Sequence, residues 1–320
     1  MKIFIQIHGY CLTALLAVLF FGAGWARSAE GYKGFERYNS LITPKELKGL
    51  MDKGDSKLVV IAVVKPKSFS VGHLPGARHT WRPDYECPPG DPFPYKGMLL
   101  DKARFEKFAC DLGVNNDSIV VLYDDKYDAT RLWWAFYLYG KQDCRILDGG
   151  LQAWKAEGYI LWQGEQVPLL SPGSFEASQP SASWVAGMYE VWRSKSDSDV
   201  QLWDNRETDE WRGTILKKGA FRKGRIPWAR FLNWSEFKKK VDSSNKNPTE
   251  FKTAAEMRNV INAAGMDPLK RQVFYCQSGV RTTQIMFSLY LLGWDPAGLA
   301  NYDGSWIEWS YYDKNPIKLD

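Results

Sequence analysis

The chain has 320 residues, of which 45% are hydrophobic and 25% charged, and its formal net charge is +5. This length and composition are typical of a globular protein with about two domains. The basic residues are scattered along the chain rather than gathered in one stripe, so we expect no nucleic-acid site. With only three histidines and no C-x-x-C spacing, the sequence also argues against a zinc site. We therefore expect neither a metal nor a cofactor.

The first 29 residues have the features of a secretory signal peptide. Lys2 is the only charge before Arg27, residues 11–23 form a nearly continuous apolar run, and Ala26 suits a signal peptidase. We therefore expect residues 1–29 to direct export to the periplasm or the cell exterior. The alternative is an uncleaved anchor, because the uncharged stretch is nearly long enough to span a bilayer. Such an anchor would be the only expected contact with a membrane.

Segments with the pattern of strands alternate with segments of helical pattern after the signal segment. The predicted strands in the first half are residues 57–64, 118–123 and 144–147. The predicted helices are residues 100–112, 131–139 and 151–157. This alternation predicts a parallel sheet with helices on both faces. Trp133 and Trp134 fall on the second of these helices, where we expect them in the core rather than at a ligand.

The first half of the chain repeats in the second half. The sequence G-H-L-P-G-A-R at residues 72–78 returns as G-R-I-P-W-A-R at residues 224–230, and V-L-Y-D at 121–124 returns as V-F-Y-C at 273–276. A later D-G-G segment also returns, in the same order, as D-G-S. A repeat unit of this length is a duplicated domain rather than a solenoid unit.

The duplication predicts the domain organisation. We expect an N-terminal domain over residues 35–166 and a C-terminal domain over residues 184–316. Residues 167–183 are rich in proline, serine and glycine, which is typical of a linker.

The strongest candidate for a reactive site follows a short predicted strand at residues 273–275. Cys276 comes where this strand ends, Gly279 allows a tight loop, and a helical pattern begins at Thr282. A cysteine on a loop that opens a helix faces N–H groups without helical partners, and these groups favour a thiolate. Arg281 adds a positive charge. We therefore predict a nucleophilic cysteine, the alternative being a buried structural one.

The loop C-Q-S-G-V-R-T, which begins at Cys276, resembles the active-site loop of the rhodanese sulfurtransferases, usually C-x-x-G-x-R or C-x-x-G-x-T. Three further segments resemble motifs of that family in the right order: D-N-R at 204–206, G-R-I-P at 224–227 and D-G-S-W-I-E-W at 303–309. The second resembles the G-H-I-P turn of the family, with Arg225 in the usual position of the histidine. The resemblance implies an α/β fold of two tandem rhodanese-like domains, each a parallel sheet with helices on both faces.

The resemblance also implies an activity. A rhodanese-type sulfurtransferase would move a sulfane sulfur from a small-molecule donor, such as thiosulfate or 3-mercaptopyruvate, to a thiol or cyanide through a persulfide on Cys276. We expect such an enzyme to act as a monomer. The loop implied to bind substrate and persulfide consists of Gln277, Ser278, Gly279, Val280, Arg281 and Thr282. The candidates for a supporting role are Asp204, Arg206, Arg212 and His73, although a histidine in such a turn is more often structural.

The first copy lacks the residues that carry this chemistry. Asp124 stands in the position of Cys276, and Ala62 stands in the position of Asp204. The resemblance therefore implies a catalytically silent N-terminal domain that walls the cleft over the cysteine. Before its G-R-I-P turn, the second copy contains extra residues with a basic cluster, which is either a solvated loop or a positive rim for anionic substrates. The cluster consists of Lys217, Lys218, Arg222, Lys223 and Arg225.

Two alternatives concern the arginine of the loop. Related phosphatases and arsenate reductases place five residues between cysteine and arginine, whereas four stand here, which favours sulfur transfer. Arg281 would either shape the local field or form a structural salt bridge to Asp204 or Glu308.

Relatives often bind the donor anion with a further arginine near the position of Glu210. We expect Arg206 or Arg212 to substitute if that function is kept.

The remaining cysteines and a second class of function complete the expectations. Cys87 lies in a loop that could face the cleft and receive sulfur, with a structural role as the alternative. Cys110 and Cys144 are expected to be buried, and a disulfide between them stays open. The alternative to an enzyme is an exported rhodanese-like sulfur carrier or binding module without rapid turnover.

Overall fold

The computed structural model describes residues 31–164, 171–245 and 247–320. The expected signal segment, residues 1–29, lies outside these residues, as does the beginning of the expected linker. Over the described part of the chain, no helix is both long and apolar enough to cross a membrane.

Two five-stranded parallel sheets share one topology, β1-β5-β4-β2-β3 in the first and β6-β10-β9-β7-β8 in the second. The strands of the first sheet are β1 (Leu41–Ile42), β2 (Leu58–Val63), β3 (Arg78–Thr80), β4 (Ile119–Tyr123) and β5 (Cys144–Leu147). Those of the second are β6 (Val185–Ala186), β7 (Val200–Asp204), β8 (Arg230–Phe231), β9 (Arg271–Tyr275) and β10 (Leu299–Tyr302). Identical strand orders confirm the duplicated α/β fold.

Helices connect the strands of both sheets. In the first half they are α1 (Pro44–Asp52), α2 (Pro66–Val71), α3 (Arg82–Tyr85), α4 (Lys102–Asp111), α5 (Ala129–Leu138) and α6 (Gly150–Ala156). In the second half they are α7 (Met188–Arg193), α8 (Thr208–Arg212), α9 (Ala254–Ala264), α10 (Arg281–Leu291) and α11 (Ser305–Tyr311). Short 3-10 helices lie at Tyr32–Gly34, Tyr38–Ser40, Ala182–Trp184, Trp234–Phe237 and Pro296–Gly298.

Local sequence explains where several of these helices begin. Thr43 and Thr253 accept hydrogen bonds from the backbone N–H groups of Glu46 and Glu256, whose carboxylates accept from the threonine N–H groups in return. These reciprocal bonds satisfy N–H groups that a helix terminus otherwise leaves unpaired. Asp101 caps α4 without such a reciprocal bond, because its carboxylate accepts from the backbone N–H of Arg104.

Helices α5 and α10 pack against each other and join the two halves in one hydrophobic core. The Trp133 ring lies 4.7 Å from Phe287 and 5.2 Å from Tyr290, centroid to centroid. Trp133 and Trp134 are both fully buried, as expected. Because each helix follows the central strand of its own sheet, this contact brings the loops after β4 and β9 together. Each sheet also packs against one smaller hydrophobic cluster, formed by residues of its own half.

Candidate active site

Cys276 directly follows β9, and the loop that it opens leads into α10. The loop turns at Gly279, which has a φ of +66°, and a Cβ atom there would lie only 2.9 Å from the carbonyl oxygen of Asp303. A side chain at this position would therefore meet both backbone strain and a steric clash. The helix begins at Arg281, one residue before the start that the sequence pattern indicates.

The start of α11 fixes the shape of this loop. The Ser305 hydroxyl accepts hydrogen bonds from the N–H groups of Cys276 at 3.1 Å and Gly279 at 2.9 Å. The same hydroxyl donates to the carbonyl oxygen of Tyr302 at 2.7 Å. Ser305, in the D-G-S-W-I-E-W segment of the second domain, thus holds two N–H groups of the loop in place.

The carbonyl group of Gly279 binds side chains from both halves of the chain. The Gly279 carbonyl accepts hydrogen bonds from Asn301 Nδ2 at 3.0 Å and from Arg131 Nη1 at 3.1 Å. Arg131 lies on α5, is fully buried, and forms an ion pair with Asp303 at 2.5 Å. It also donates to the carbonyl oxygen of Gly97 at 3.1 Å. A side chain of the first half therefore helps to set the conformation of the loop.

The environment of Cys276 favours its thiolate. Burial alone raises the pKa of this thiol, but the positive charge of Arg281 and the backbone N–H groups of Thr282, Ser278 and Arg281 lower it by more. The pKa of Cys276 therefore lies below its ordinary value, although the side chain is only 1% exposed. The anion is stabilised by loop N–H groups and one guanidinium, as expected for a nucleophilic cysteine.

Arg281 forms a buried ion pair with Glu210 on α8. Its Nη1 and Nη2 atoms donate to the two carboxylate oxygens at 2.6 and 2.9 Å. Although burial raises the pKa of Glu210, the hydrogen bonds and charge of Arg281 lower it to about 2. The expected partners Asp204 and Glu308 were wrong. Glu210 reaches Arg281 from α8, across 71 residues of sequence, a contact that sequence spacing does not reveal.

The four candidates for a supporting role lie away from this loop. Asp204 and Arg206 form a buried ion pair with each other at 2.6 Å. Arg212 is exposed at the surface. His73 is buried and stacks on the Phe69 ring, with its Nδ1 atom 3.0 Å from the Phe69 carbonyl oxygen. Neither arginine is thus available to bind an anion beside the cysteine, and the histidine has a structural place.

A pocket of about 310 Å³ opens over the cysteine between the two halves of the chain. Five residues of the loop line it: Cys276, Gln277, Ser278, Val280 and Arg281. Two lysines of the basic cluster line its rim: Lys217 and Lys218. The rest of the cluster does not line the pocket: Arg222 and Lys223 bind backbone carbonyl groups, and Arg225 binds a carbonyl group and Asp320. The expected positive rim therefore consists of two of the five basic residues.

The first half of the chain supplies walls that the sequence did not single out. They include Trp81, Arg82, Lys96 and Tyr127. Arg82 Nη2 donates to the Ser278 hydroxyl at 3.0 Å, across a separation of 196 residues. The only signal in the sequence was the general expectation that the silent domain walls the cleft. Nothing in the local pattern marks these side chains.

In the corresponding loop of the first half, the side chain of Asp124 binds the N–H groups of the loop itself. The carboxylate of Asp124 accepts hydrogen bonds from the N–H groups of Ala129 at 2.6 Å and Lys126 at 3.2 Å. Burial raises the pKa of Asp124 to about 6. A carboxylate thus takes the place that a bound anion would need, in keeping with a silent domain.

The other described cysteines are free thiols. Cys144 is buried, Cys110 is half-buried, and no disulfide joins them. Cys87 lies outside the pocket, with its Sγ 3.3 Å from the carbonyl oxygen of Leu99, so it does not face Cys276 through the cleft. Within residues 31–164, 171–245 and 247–320, no cluster of three or more histidine, cysteine or acidic side chains could hold a metal ion.

Comparison with known proteins agrees with this architecture. The rhodanese-like domain family matches residues 43–157 and 188–311. The sulfur carrier protein TtuD of Thermus thermophilus is 33% identical over 266 residues, which cover 78% of this chain and 86% of that protein. The thiosulfate sulfurtransferase of Corynebacterium glutamicum is 32% identical over 267 residues, which cover 78% of this chain and 81% of that protein.

Solved structures show the same fold. The anaerobic ergothioneine biosynthesis enzyme from Chlorobium limicola superposes with a TM-score of 0.74 at 23% identity, covering 89% of this chain and 71% of that one. At this identity the likeness concerns the fold alone. Two family matches and relatives above 30% identity over most of the chain go further: the chain belongs to the rhodanese-like family and is a sulfurtransferase of the tandem-domain type.

Proposed function

We propose that the chain transfers a sulfane sulfur through a persulfide on Cys276. The thiolate attacks the outer sulfur of a donor such as thiosulfate, the donor S–S bond breaks, and sulfite leaves with the electron pair. A thiol or cyanide then takes the outer sulfur and releases the Cys276 thiolate. The observation that carries the proposal is a cysteine of lowered pKa, held among loop N–H groups at the floor of a pocket.

The geometry favours sulfur transfer over phosphoryl chemistry. A phosphatase loop uses its arginine to clamp a tetrahedral oxyanion, whereas both Nη atoms of Arg281 are held by Glu210. This leaves the guanidinium to act through its charge. The loop N–H groups would hold the terminal sulfur of the persulfide in the manner of an oxyanion hole. Ser278 lines the pocket and is placed to contact the donor.

Intact-mass measurement tests the persulfide directly. We expect the protein to gain one sulfur atom from thiosulfate and to lose it to cyanide, and we expect Cys276→Ser to gain none. Cys87→Ser is the matched control, because Cys87 lies outside the pocket, and it should load like the wild type. Parallel loading from 3-mercaptopyruvate identifies the preferred donor. If reduced protein takes up sulfur from no donor, or if Cys276→Ser still loads, the mechanism is wrong.

A sulfur carrier without rapid turnover is the second candidate, favoured by the name of the Thermus relative. A carrier loads once and releases its sulfur only to a specific acceptor, whereas an enzyme releases product repeatedly to small acceptors. Product formation with excess thiosulfate and cyanide separates them. Many product molecules per protein would support the enzyme, and a single equivalent would support the carrier.

We also propose export, with residues 1–29 as the signal and a monomeric mature protein in the periplasm or outside the cell. The apolar run and the small residue at Ala26 support this proposal. Cell fractionation and the mass of the recovered chain would test the export and cleavage, and light scattering would test the oligomeric state. Retention in the membrane at full mass would instead support the anchor.

A further inference from the structure

The pocket needs a cation other than Arg281 to bind an anionic donor. The second half offers no arginine for this purpose, because Arg206 is paired with Asp204 and Arg212 is exposed at the surface. Both Nη atoms of Arg281 are themselves paired with Glu210. The compensating charge must therefore come from elsewhere in the lining of the pocket.

Arg82 is the arginine that the first half contributes to the pocket. Its Nε and Nη2 atoms lie 2.8 Å from Glu86 Oε1, and Nη2 also donates to the Ser278 hydroxyl at 3.0 Å. Its Nη1 atom makes no hydrogen bond to any residue in the described part of the chain. Glu86 thus holds the guanidinium in a fixed orientation, and Nη1 is left for a ligand.

The surroundings of Arg82 suit an anion. The side chain is only 25% exposed, so that water screens its charge less than at an open surface. Lys96, Lys217 and Lys218 line the same pocket, and Glu86 is the one carboxylate among its described lining residues. The cations therefore outnumber the carboxylates in this pocket, although Arg82 also lines a neighbouring cavity with Asp125 and Asp128. Among the lysines and arginines that the pocket takes from outside the loop, Arg82 is the one whose side chain donates to the loop.

We propose that Arg82 forms a cross-domain anion subsite, which binds the oxyanion end of the donor while Cys276 attacks its sulfur. This inference rests on the proposed sulfur transfer and names the class of donor: a sulfane-sulfur compound with a sulfonate or carboxylate group. In the loading step the sulfonate oxygens gain charge as sulfite departs with the electron pair of the broken S–S bond. A fixed guanidinium beside those oxygens stabilises that charge. The silent domain thus supplies part of the donor site.

Alkylation of Cys276 measures this subsite without requiring any sulfur transfer. Iodoacetate carries a carboxylate and iodoacetamide is neutral, and both alkylate the same thiolate with loss of iodide. We expect Arg82→Gln to lower the iodoacetate to iodoacetamide rate ratio about tenfold, because a charge-assisted hydrogen bond is lost. A change in the pKa of the thiol affects both rates and cancels in the ratio. Peptide mass spectrometry restricts the measurement to Cys276.

Two variants control for other effects of the substitution. Arg82→Lys keeps the positive charge without the planar guanidinium and should give an intermediate rate ratio. Arg145→Gln removes an arginine that is 27% exposed and paired with Asp143 at 2.8 Å, outside the pocket, and should leave the ratio unchanged. A ratio equal to that of the wild type in folded Arg82→Gln would overturn the inference and leave Arg82 as a structural link between the halves.

Loading from thiosulfate provides the second readout. We expect the second-order loading constant of Arg82→Gln to fall about tenfold, while transfer from the loaded persulfide to cyanide changes less than about twofold. The two proposals fail in different ways. Without any loading of the wild type, sulfur transfer is wrong, yet the alkylation ratio still reports the anion subsite. Normal loading of Arg82→Gln with an unchanged ratio removes the subsite alone.

Discussion

At the scale of single residues, the ion pair of Arg281 and Glu210 controls both the reactivity of the loop and its stability. The charge of Arg281 lowers the pKa of Cys276, and Glu210 holds the guanidinium in place. Both members of the pair are at most 4% exposed. Removal of Arg281 therefore leaves the buried Glu210 carboxylate with Lys217, at 3.4 Å, as its remaining close ionic partner, which is costly.

We predict that Arg281→Gln raises the pKa of Cys276 and lowers the free energy of unfolding by about 3 kcal/mol. The double variant Arg281→Gln with Glu210→Gln should recover most of this stability, because no charge stays buried, but its thiol pKa should stay raised. Urea unfolding and pH titration of the thiolate absorbance measure the two quantities. Equal pKa values in wild type and both variants would show that the loop N–H groups alone activate the thiol.

The buried carboxylate of Asp128, which directly precedes α5, leads us to predict a dependence of stability on pH. Burial and the charge of Asp124 raise its pKa to about 7, and its carboxylate makes no hydrogen bond to another described residue. The folded protein therefore holds this proton more tightly than the unfolded chain between about pH 4 and 7. The contribution of Asp128 to the unfolding free energy thus falls as pH rises through that window.

Replacing Asp128 with asparagine should remove this contribution. We expect Asp128→Asn to be more stable than the wild type by up to about 4 kcal/mol above pH 7, with a smaller difference near pH 4. Urea unfolding over that pH range measures it, with Asp52→Asn at an exposed site as the control. Parallel pH profiles for wild type and Asp128→Asn would contradict the assignment.

At the scale of elements, the two strand–loop–helix units share their strands and helices but differ in the loop. Tyr127 and Ala129 stand where Gly279 and Arg281 follow the cysteine. The first loop thus lacks both the glycine that permits the tight turn and the arginine that favours the anion. The first loop therefore differs from the second in the glycine and the arginine as well as in the thiol.

We predict that a cysteine alone does not restore chemistry to the first loop. Asp124→Cys in a Cys276→Ser background should gain no sulfur from thiosulfate, because no arginine lowers the pKa of the new thiol and burial raises it. Intact mass is the measurement, and a parallel thermal melt establishes that the variant folds. Uptake of one sulfur by this variant would show that the loop N–H groups suffice.

Short-range sequence patterns were enough to predict strands and helices, but they were not enough to predict which side chains pair with each other in the fold. The predicted strand at residues 144–147 coincides with β5, and the helix expected at 131–139 begins two residues earlier, at Ala129. Apolar periodicity depends on neighbours along the chain, so the sequence displays it. The contact of Arg281 with Glu210 depends instead on the tertiary fold, and the sequence suggested Asp204 or Glu308 in its place. The contact of Arg82 with Ser278 was not indicated by the sequence at all.

At the scale of the whole molecule, the shared core makes the two domains one unit. The largest hydrophobic cluster includes residues of both halves, with α5 and α10 at its centre. The ion pair of Arg131 with Asp303 crosses the same boundary beside the catalytic loop. Neither half can therefore lose its fold without exposing the packed face of the other.

We predict a single cooperative unfolding transition and a large effect of Trp133→Ala. This substitution should lower the free energy of unfolding by about 3–5 kcal/mol, because it leaves a cavity between the domains. Trp162→Ala, at a tryptophan that is 42% exposed, should cost much less. Urea unfolding followed by circular dichroism and by residual sulfur loading should give one midpoint for each protein. Separate midpoints would show that the domains unfold independently.

The pocket has its nucleophile on one half of a duplicated chain and Arg82, Lys96 and Tyr127 on the other. Under the proposed function, a mutation in the first half can therefore alter the choice of donor while Cys276 and its loop stay untouched. A duplicated chain of this kind separates the residues that set specificity from those that set reactivity. The walls over Cys276 can diversify among descendants of one gene, and the loop beneath them can stay constant.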